Sequence, residues 1–243
     1  MILDSAVSKA LGSLSASCRV IEIGCGLQGR FTRVLSARFA DLTAVDPALS
    51  VRRIAHLRAD PGLRNVRFSP VSIQAMPLKV EKFDLAVMAY AMHHVAPTAR
   101  PKLLDAVSRM LYPNGQFLLI EDIDVPCSDI RQRSFQDYHK ALIALDRAVG
   151  RPHFSLLRPD QLLATFESNG WQVRCWKIIN KPRPLETAPE VLSVSLLDVW
   201  QRSRPRAIGH ELPKDIPELC QQLVMAGVAT PPYILLTATT NRR

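Results

Sequence analysis

Val20-Ile-Glu-Ile-Gly-Cys-Gly-Leu-Gln-Gly-Arg30 is the stretch that decides the fold. Its first residues form a short apolar run broken by one acid, the pattern of a strand buried on both faces of a parallel sheet. Gly24, Gly26 and Gly29 follow at once. A turn without Cβ atoms lets the backbone approach a ligand closely. A helix predicted from Arg30 to about Ala40 would aim its first N–H groups at whatever lies in that turn. Strand, glycine turn and helix start together point to a nucleotide-type site rather than a bare connection.

Two kinds of ligand fit the turn. Gly24-x-Gly26-x-x-Gly29 satisfies the dinucleotide fingerprint, and Asp46 stands about 20 residues on, where a ribose-binding acid belongs. Taken alone, this favours a nicotinamide dinucleotide. Glu22, two residues before Gly24, instead gives the pattern E-x-G-x-G. The rest of the chain has to arbitrate.

Composition narrows the field. A chain of 243 residues can pack an α/β domain with a full core. No 18-residue apolar run occurs, so no membrane span is expected. The opening MILDSAVSKA has an acid at position 4 and no basic n-region, so a secretory signal is not expected. The five cysteines, Cys18, Cys25, Cys127, Cys175 and Cys220, are scattered, without any C-x-x-C pair. That argues against a zinc cluster and a disulfide framework, and for a reducing, cytoplasmic compartment. No metal-ligand set is read from the spacing. The net charge of +9 admits a nucleic-acid partner. Its arginines are dispersed, however, which favours an arginine-rich composition over a binding surface.

In chain order, residues 3–15 fit an amphipathic helix. A second strand, Leu42–Val45, ends at Asp46, and Pro47 suits the first turn of a helix to about Arg58. Val66–Pro70 reads as a third strand and Ser72–Leu78 as a loop. Leu85–Ala89 is a buried fourth strand, from whose carboxyl end Tyr90, His93 and His94 emerge. In open parallel sheets that end carries the ligand. Pro97–Leu111 fits a helix, Tyr112–Gly115 a turn, and Gln116–Ile120 a fifth strand leading into Glu121-Asp122-Ile-Asp124. Long helices follow over Ile130–Val149 and Leu156–Asn169, then a sixth strand, Trp171–Ile179. Thr187-Ala-Pro-Glu190 has the form of a capping box opening a helix to about Gln201. That helix is apolar on most sides, and burial in the core is the favoured reading. Lys214–Ala226 is a further helix and Tyr233–Thr239 the last strand.

This order resembles the class I S-adenosylmethionine-dependent methyltransferases, in their small-molecule, type 11-like branch. VIEIGCGLQG is similar to the family's first motif, TAVDP to its second, FDLAVMAYAMHHV to its fourth-strand motif, and LYPNGQFLLIED to its L-x-P-G-G turn and fifth strand. SNGWQV is similar to the entry to strand six. The resemblance covers about residues 18–180, and the last strand fits as well. It implies a Rossmann-like α/β fold: a seven-stranded, mostly parallel sheet with helices on both faces and the last strand antiparallel. It further implies one domain over 1–243, with helical lid insertions after strands five and six at about 126–155 and 181–230. Here the glycine turn is one residue longer than the family's G-x-G-x-G. Ser72 replaces the acid that often contacts adenine.

The resemblance also implies roles. Gly24, Cys25 and Gly26 would admit the methionine end of S-adenosylmethionine, with Glu22 holding its ammonium. Asp46 and Pro47 would meet the ribose, Ser72 and Ile73 would flank the adenine, and Ala89 and Tyr90 would border the cofactor. Methyl transfer is in-line displacement, so catalysis is mainly positioning and water exclusion. If the acceptor must lose a proton, His93 or His94 is the candidate base. Glu121, Tyr138, His139 and His153 are further candidates for the cleft. Cys127 reads as a loop cysteine rather than a nucleophile. A small-molecule acceptor (O, N or C) is favoured. An RNA methyltransferase, a nicotinamide oxidoreductase and a non-catalytic member remain alternatives.

Overall fold

The computed structural model describes residues 5–12, 14–77, 82–185, 187–206 and 212–240. Leu3 of the expected first helix, Leu78 of the loop after strand three, and Arg242 and Arg243 lie outside them. The strands are β1 (Arg19–Ile23), β2 (Asp41–Val45), β3 (Val66–Ser69), β4 (Phe83–Ala89), β5 (Leu111–Asp122), β6 (Trp171–Ile179) and β7 (Tyr233–Thr240). The α-helices are α1 (Ser5–Gly12), α2 (Arg30–Ser36), α3 (Val51–Arg58), α4 (Arg100–Met110), α5 (Ile130–Ala148), α6 (Pro159–Glu167), α7 (Pro189–Ser203) and α8 (Ile216–Ala226). The sheet order is β3-β2-β1-β4-β5-β7-β6. Pairings among β1 to β5 are parallel, and β7 runs antiparallel to both its neighbours. The expected seven-stranded Rossmann-like architecture is therefore the one formed. Among the described residues no helix is long and apolar enough to cross a membrane.

Side chains of the central strands alternate between two cores, as a two-residue period requires. Ile21, Ile23, Ala86, Met88, Phe117 and Leu119 enter one core, with α4 and α6. Val20, Leu85, Val87, Leu118 and Ile120 enter the other, under α1, α2 and α3. Phe117, Phe166 and Trp171 stack with centroids 5.4–6.0 Å apart and lock α6 onto the sheet. A third cluster, built from α5, α7 and α8 around Leu145, Leu196 and Leu223, stands apart from these two.

Several boundaries differ from the sequence reading. The turn expected at Tyr112–Gly115 lies inside β5 as an irregularity: Phe83 pairs with Leu111, and the ladder resumes with Leu85 opposite Gln116. A Cβ on Gly115 would stand 2.9 Å from that of Leu111, so the chain folds tightly back there. The capping box at Thr187 does not cap α7. That helix starts at Pro189, with Ala188 as N-cap and no side-chain bond. Ser50, not Pro47, starts α3, its hydroxyl accepting from the Arg53 N–H at 3.2 Å. The apolar α7 enters a core on one face only. Leu196 is buried against α5 and α8, but Val191 and Val194 are 58% and 67% exposed on the other side.

Candidate active site

The glycine turn is stitched to the end of the neighbouring strand. The N–H groups of Gly24 and Cys25 both donate to the Val45 carbonyl, at 2.8 and 3.3 Å. Gly24 has φ 74°, and a Cβ on it would lie 2.7 Å from the Ala91 Cβ. Glycine is therefore required there for conformation and for close approach to the segment leaving β4. Gly26 has φ 66°, but a Cβ on it would meet nothing within 4 Å. Its surface is open, a cradle that any side chain would begin to fill. Asp46 closes the far side. One carboxylate oxygen accepts from the Gly26 N–H at 2.9 Å and the other from the Ala48 N–H at 2.8 Å. Each keeps lone-pair capacity for a further donor. Pro47 follows, exposed.

Glu22, on β1, leads into this turn. It is 1% exposed, and its Oε2 is buried without a hydrogen-bond partner. Burial pushes its carboxyl up to about 7, Asp46 adds to the shift, and Thr32 opposes it. Thr32 is the donor the chain itself offers this carboxyl, and the unpaired oxygen suits a further cationic or donor group. Cys25 sits beside it, and burial together with the Glu22 and Asp46 charges pushes its thiol up, the opposite of an activated nucleophile. The Cys127 thiol is also raised, by burial first.

Ser72 is half-buried and precedes the 3₁₀ turn Ile73–Ala75 without capping it through its side chain. Ile73 is buried in the core that contains Ile23 and Ala91. Ala89 ends β4, half-buried. Tyr90 is the unusual residue there. It has φ 53°, its N–H donates to the Ile120 carbonyl at 2.8 Å, and its ring meets Tyr233 edge-on at 6.5 Å. A non-glycine residue in the left-handed region is strained by roughly 1–3 kcal/mol, a condition that concentrates at functional sites.

Past Ala91 the chain makes a 3₁₀ turn, Met92–His94, held by Glu121 at the end of β5. Glu121 is fully buried. Its carboxylate accepts from the Met92 N–H and from Nδ1 of His93, both at 2.6 Å, and from the Asp122 N–H at 3.1 Å. Burial disfavours the His93 imidazolium, but Glu121 and Asp122 outweigh it and raise His93 above its ordinary value. Around His93 stand three more imidazoles. His94, His139 and His153 have ring centroids 4.2, 5.1 and 5.4 Å from it. Burial, then neighbouring imidazoles, push His94 down to about 4 and His139 to about 3. Burial also lowers His153, although Asp146 opposes this through a 2.9 Å bond to Nδ1.

The structure thus brings Gly24, Gly26 and Asp46 together at the end of β1 with Glu22 buried behind them, Ala91 against Gly24, and the His93–Glu121 pair two residues further on. His139 comes from α5 and His153 from the loop after it, which binds back through the Phe154 N–H to the His93 carbonyl at 2.9 Å. Tyr138, by contrast, is buried in the cluster of α5, α7 and α8. Asp146 was not foreseen. It bonds His153 seven positions on, across the turn that ends α5, and no helix or strand spacing foretells that pair.

A family model described as a methyltransferase domain matches residues 2–175. An uncharacterized methyltransferase of Staphylococcus carnosus is 26% identical over 116 residues, 47% of this chain and 53% of that protein. The chain spans between 53% and 60% of the length of the curated relatives it matches. A cyclopropane-fatty-acyl-phospholipid synthase-like protein of Lactobacillus casei superposes with TM-score 0.69 at 16% identity, over 96% of this chain and 88% of that one. The Burkholderia thailandensis 1,6-didemethyltoxoflavin-N1-methyltransferase, solved with bound 1,6-didemethyltoxoflavin and S-adenosylhomocysteine, gives TM-score 0.55 at 15% identity, over 98% of this chain and 76% of that one. At such identities these two likenesses concern the fold.

Proposed function

Because the chain belongs to the methyltransferase domain family, we propose that it binds S-adenosylmethionine in the glycine turn and transfers its methyl group to a small-molecule acceptor. When bound, the cofactor supplies a methyl group on a positively charged sulfur. The observations that carry this reading are the orphaned Oε2 of Glu22, two residues before the glycine turn, and the open space at Gly26 within it. The pair suits a ligand with one cationic end and one end that needs backbone contact. Glu22 takes the ammonium, directly or through water. Asp46, already held by two N–H groups, accepts from the ribose hydroxyls. Ser72 and Ile73 border the adenine, with Ala89 and Tyr90 beside the cofactor.

Residues of this chain then have to position the acceptor and keep water out. Tyr90 and the turn Met92–His94 leave the carboxyl end of β4, where the acceptor stands. His93 is oriented by Glu121 through Nδ1, and its ring packs against the remaining imidazoles. His93 and His94 are the acceptor-side pair, and His93 is the one fixed firmly enough to activate a nucleophile.

Calorimetric titration with S-adenosylmethionine, S-adenosylhomocysteine and NADH tests the cofactor. Both sulfur nucleosides should bind and NADH should not. Asp46→Ala should weaken binding at least tenfold. Binding of NADH alone, or unchanged affinity in Asp46→Ala, would overturn the assignment.

A further inference from the structure

His93, His94 and His153 each offer one ring nitrogen, and these three nitrogens lie within 4.8 Å of one another. His93 and His153 are each only 5% exposed. Nδ1 of His93 is held by Glu121 and Nδ1 of His153 by Asp146. His94 stands against the Pro152 carbonyl. Nε2 of His153 is buried with no hydrogen-bond partner, as is Nδ1 of the adjoining His139. A buried ring nitrogen left unpaired is costly unless something fills the gap.

We propose that His93, His94 and His153 form a site for a divalent transition-metal ion, Zn²⁺ being the best fit. A carboxylate on the far nitrogen fixes the tautomer and aims the lone pair, the usual support for a metal-bound imidazole. Nitrogen ligands at about 2.1 Å from a tetrahedral ion sit about 3.4 Å apart, so a triangle of the observed size closes with shifts of about 0.8 Å per ring. Imidazole-only donors suit Zn²⁺ and its neighbours rather than Mg²⁺ or Ca²⁺. Three protein ligands leave a fourth position open, and His139 stands beside two of them, its ring centroid 5.1 Å from that of His93 and 5.3 Å from that of His153. Such an open site is of the reactive rather than the closed structural kind. The set is not visible as a motif, since 59 positions separate His94 from His153. The ion's presence does not depend on the methyl-transfer reading. Its use in activating an acceptor does, and there His93 would act through the ion instead of as a free base.

The test is metal binding by the full chain after treatment with a chelator and its removal. Titrated Zn²⁺ should bind with one equivalent per chain. Co²⁺ in its place should give the visible absorption of a nitrogen-ligated tetrahedral ion. His153→Ala should weaken Zn²⁺ binding at least a hundredfold, and Asp146→Asn by roughly 10–100-fold. His56→Ala, on the distant α3, should leave it unchanged. S-adenosylmethionine is titrated into the same samples. Its binding without any Zn²⁺ or Co²⁺ uptake would overturn the metal site alone, and Zn²⁺ uptake without it would overturn the cofactor assignment alone. Should His153→Ala not fold, Asp146→Asn and the Co²⁺ spectrum of the unaltered chain decide. Equal affinity in Asp146→Asn, or a Co²⁺ spectrum of a purely aqueous ion, would refute the site.

Discussion

Replacing Glu22 by Gln should make the free protein more stable and its cofactor binding worse. Burial moves this carboxyl from an ordinary 4.5 to about 7. An acid whose folded value is raised costs nothing below its unfolded value, where both states are protonated. The cost grows as pH rises through that window and is complete above the folded value. At 1.36 kcal/mol per unit, it is about 3 kcal/mol at pH 7 and under about 1 kcal/mol at pH 5. Glutamine removes the charge but still buries a polar group, so the net gain at pH 7 should be about 1–2 kcal/mol. For a chain of this size, that raises Tm by roughly 2–8 °C. Melting curves of both proteins at pH 5 and pH 7 measure it, and the difference should shrink at the lower pH. With the cofactor the sign reverses. Its ammonium needs an ionised Glu22, and only a small fraction of Glu22 is ionised at pH 5.5. Affinity of the unaltered protein should therefore rise about fifteenfold from pH 5.5 to 7.0. Above that window the cofactor's own amine, with pKa of about 7.7–8.0, begins to lose its charge. Glu22→Gln should bind at least tenfold more weakly at pH 7, with a flat pH profile. A variant less stable at both pH values, or one that binds as tightly as before, would refute the reasoning.

Further substitutions separate the parts of the site. Gly26→Ala should fold with a penalty of about 1–2 kcal/mol from its positive φ and lose cofactor affinity, because its Cβ enters open space that the ligand needs. Gly24→Ala should be worse for stability by melting, because its Cβ is driven against Ala91 at 2.7 Å. Tyr90→Gly should relieve left-handed strain and raise Tm slightly while lowering turnover, if the tyrosine ring borders the reacting groups. Leu196→Ala, in the outlying cluster of α5, α7 and α8, should destabilise by about 2–5 kcal/mol. Hydrogen exchange should quicken in α7 and α8, and titrated S-adenosylmethionine should bind as before.

The parallel sheet was legible because its strands write their burial into sequence. Ile21, Ile23, Ala86 and Met88 enter one core while Val20, Leu85 and Val87 enter the other, and such strands read as continuous apolar runs. The glycine turn was legible because positive φ at Gly24, Gly26 and Gly29 leaves few other residue types. Helix starts were less so. Thr187 could cap α7, yet Pro189 fixes the entry and leaves the threonine outside. The surroundings of α7 could not be read either, because an apolar helix looks the same whether one side or all sides are covered. The imidazole cluster was legible as single residues only. His93 and His94 are adjacent, but His139 and His153 reach them through the packing of α5 and its following loop, which periodicity does not encode.

The grip of Glu22 and Asp46 on a charged sulfur nucleoside is tested most directly by a crystal structure with S-adenosylhomocysteine. Its amino group should lie over Gly24 within reach of Glu22, directly or through one water, and its ribose hydroxyls should fall on Asp46. A ligand seated elsewhere, or the same nucleoside bound with both carboxylates turned from it, would contradict the assignment.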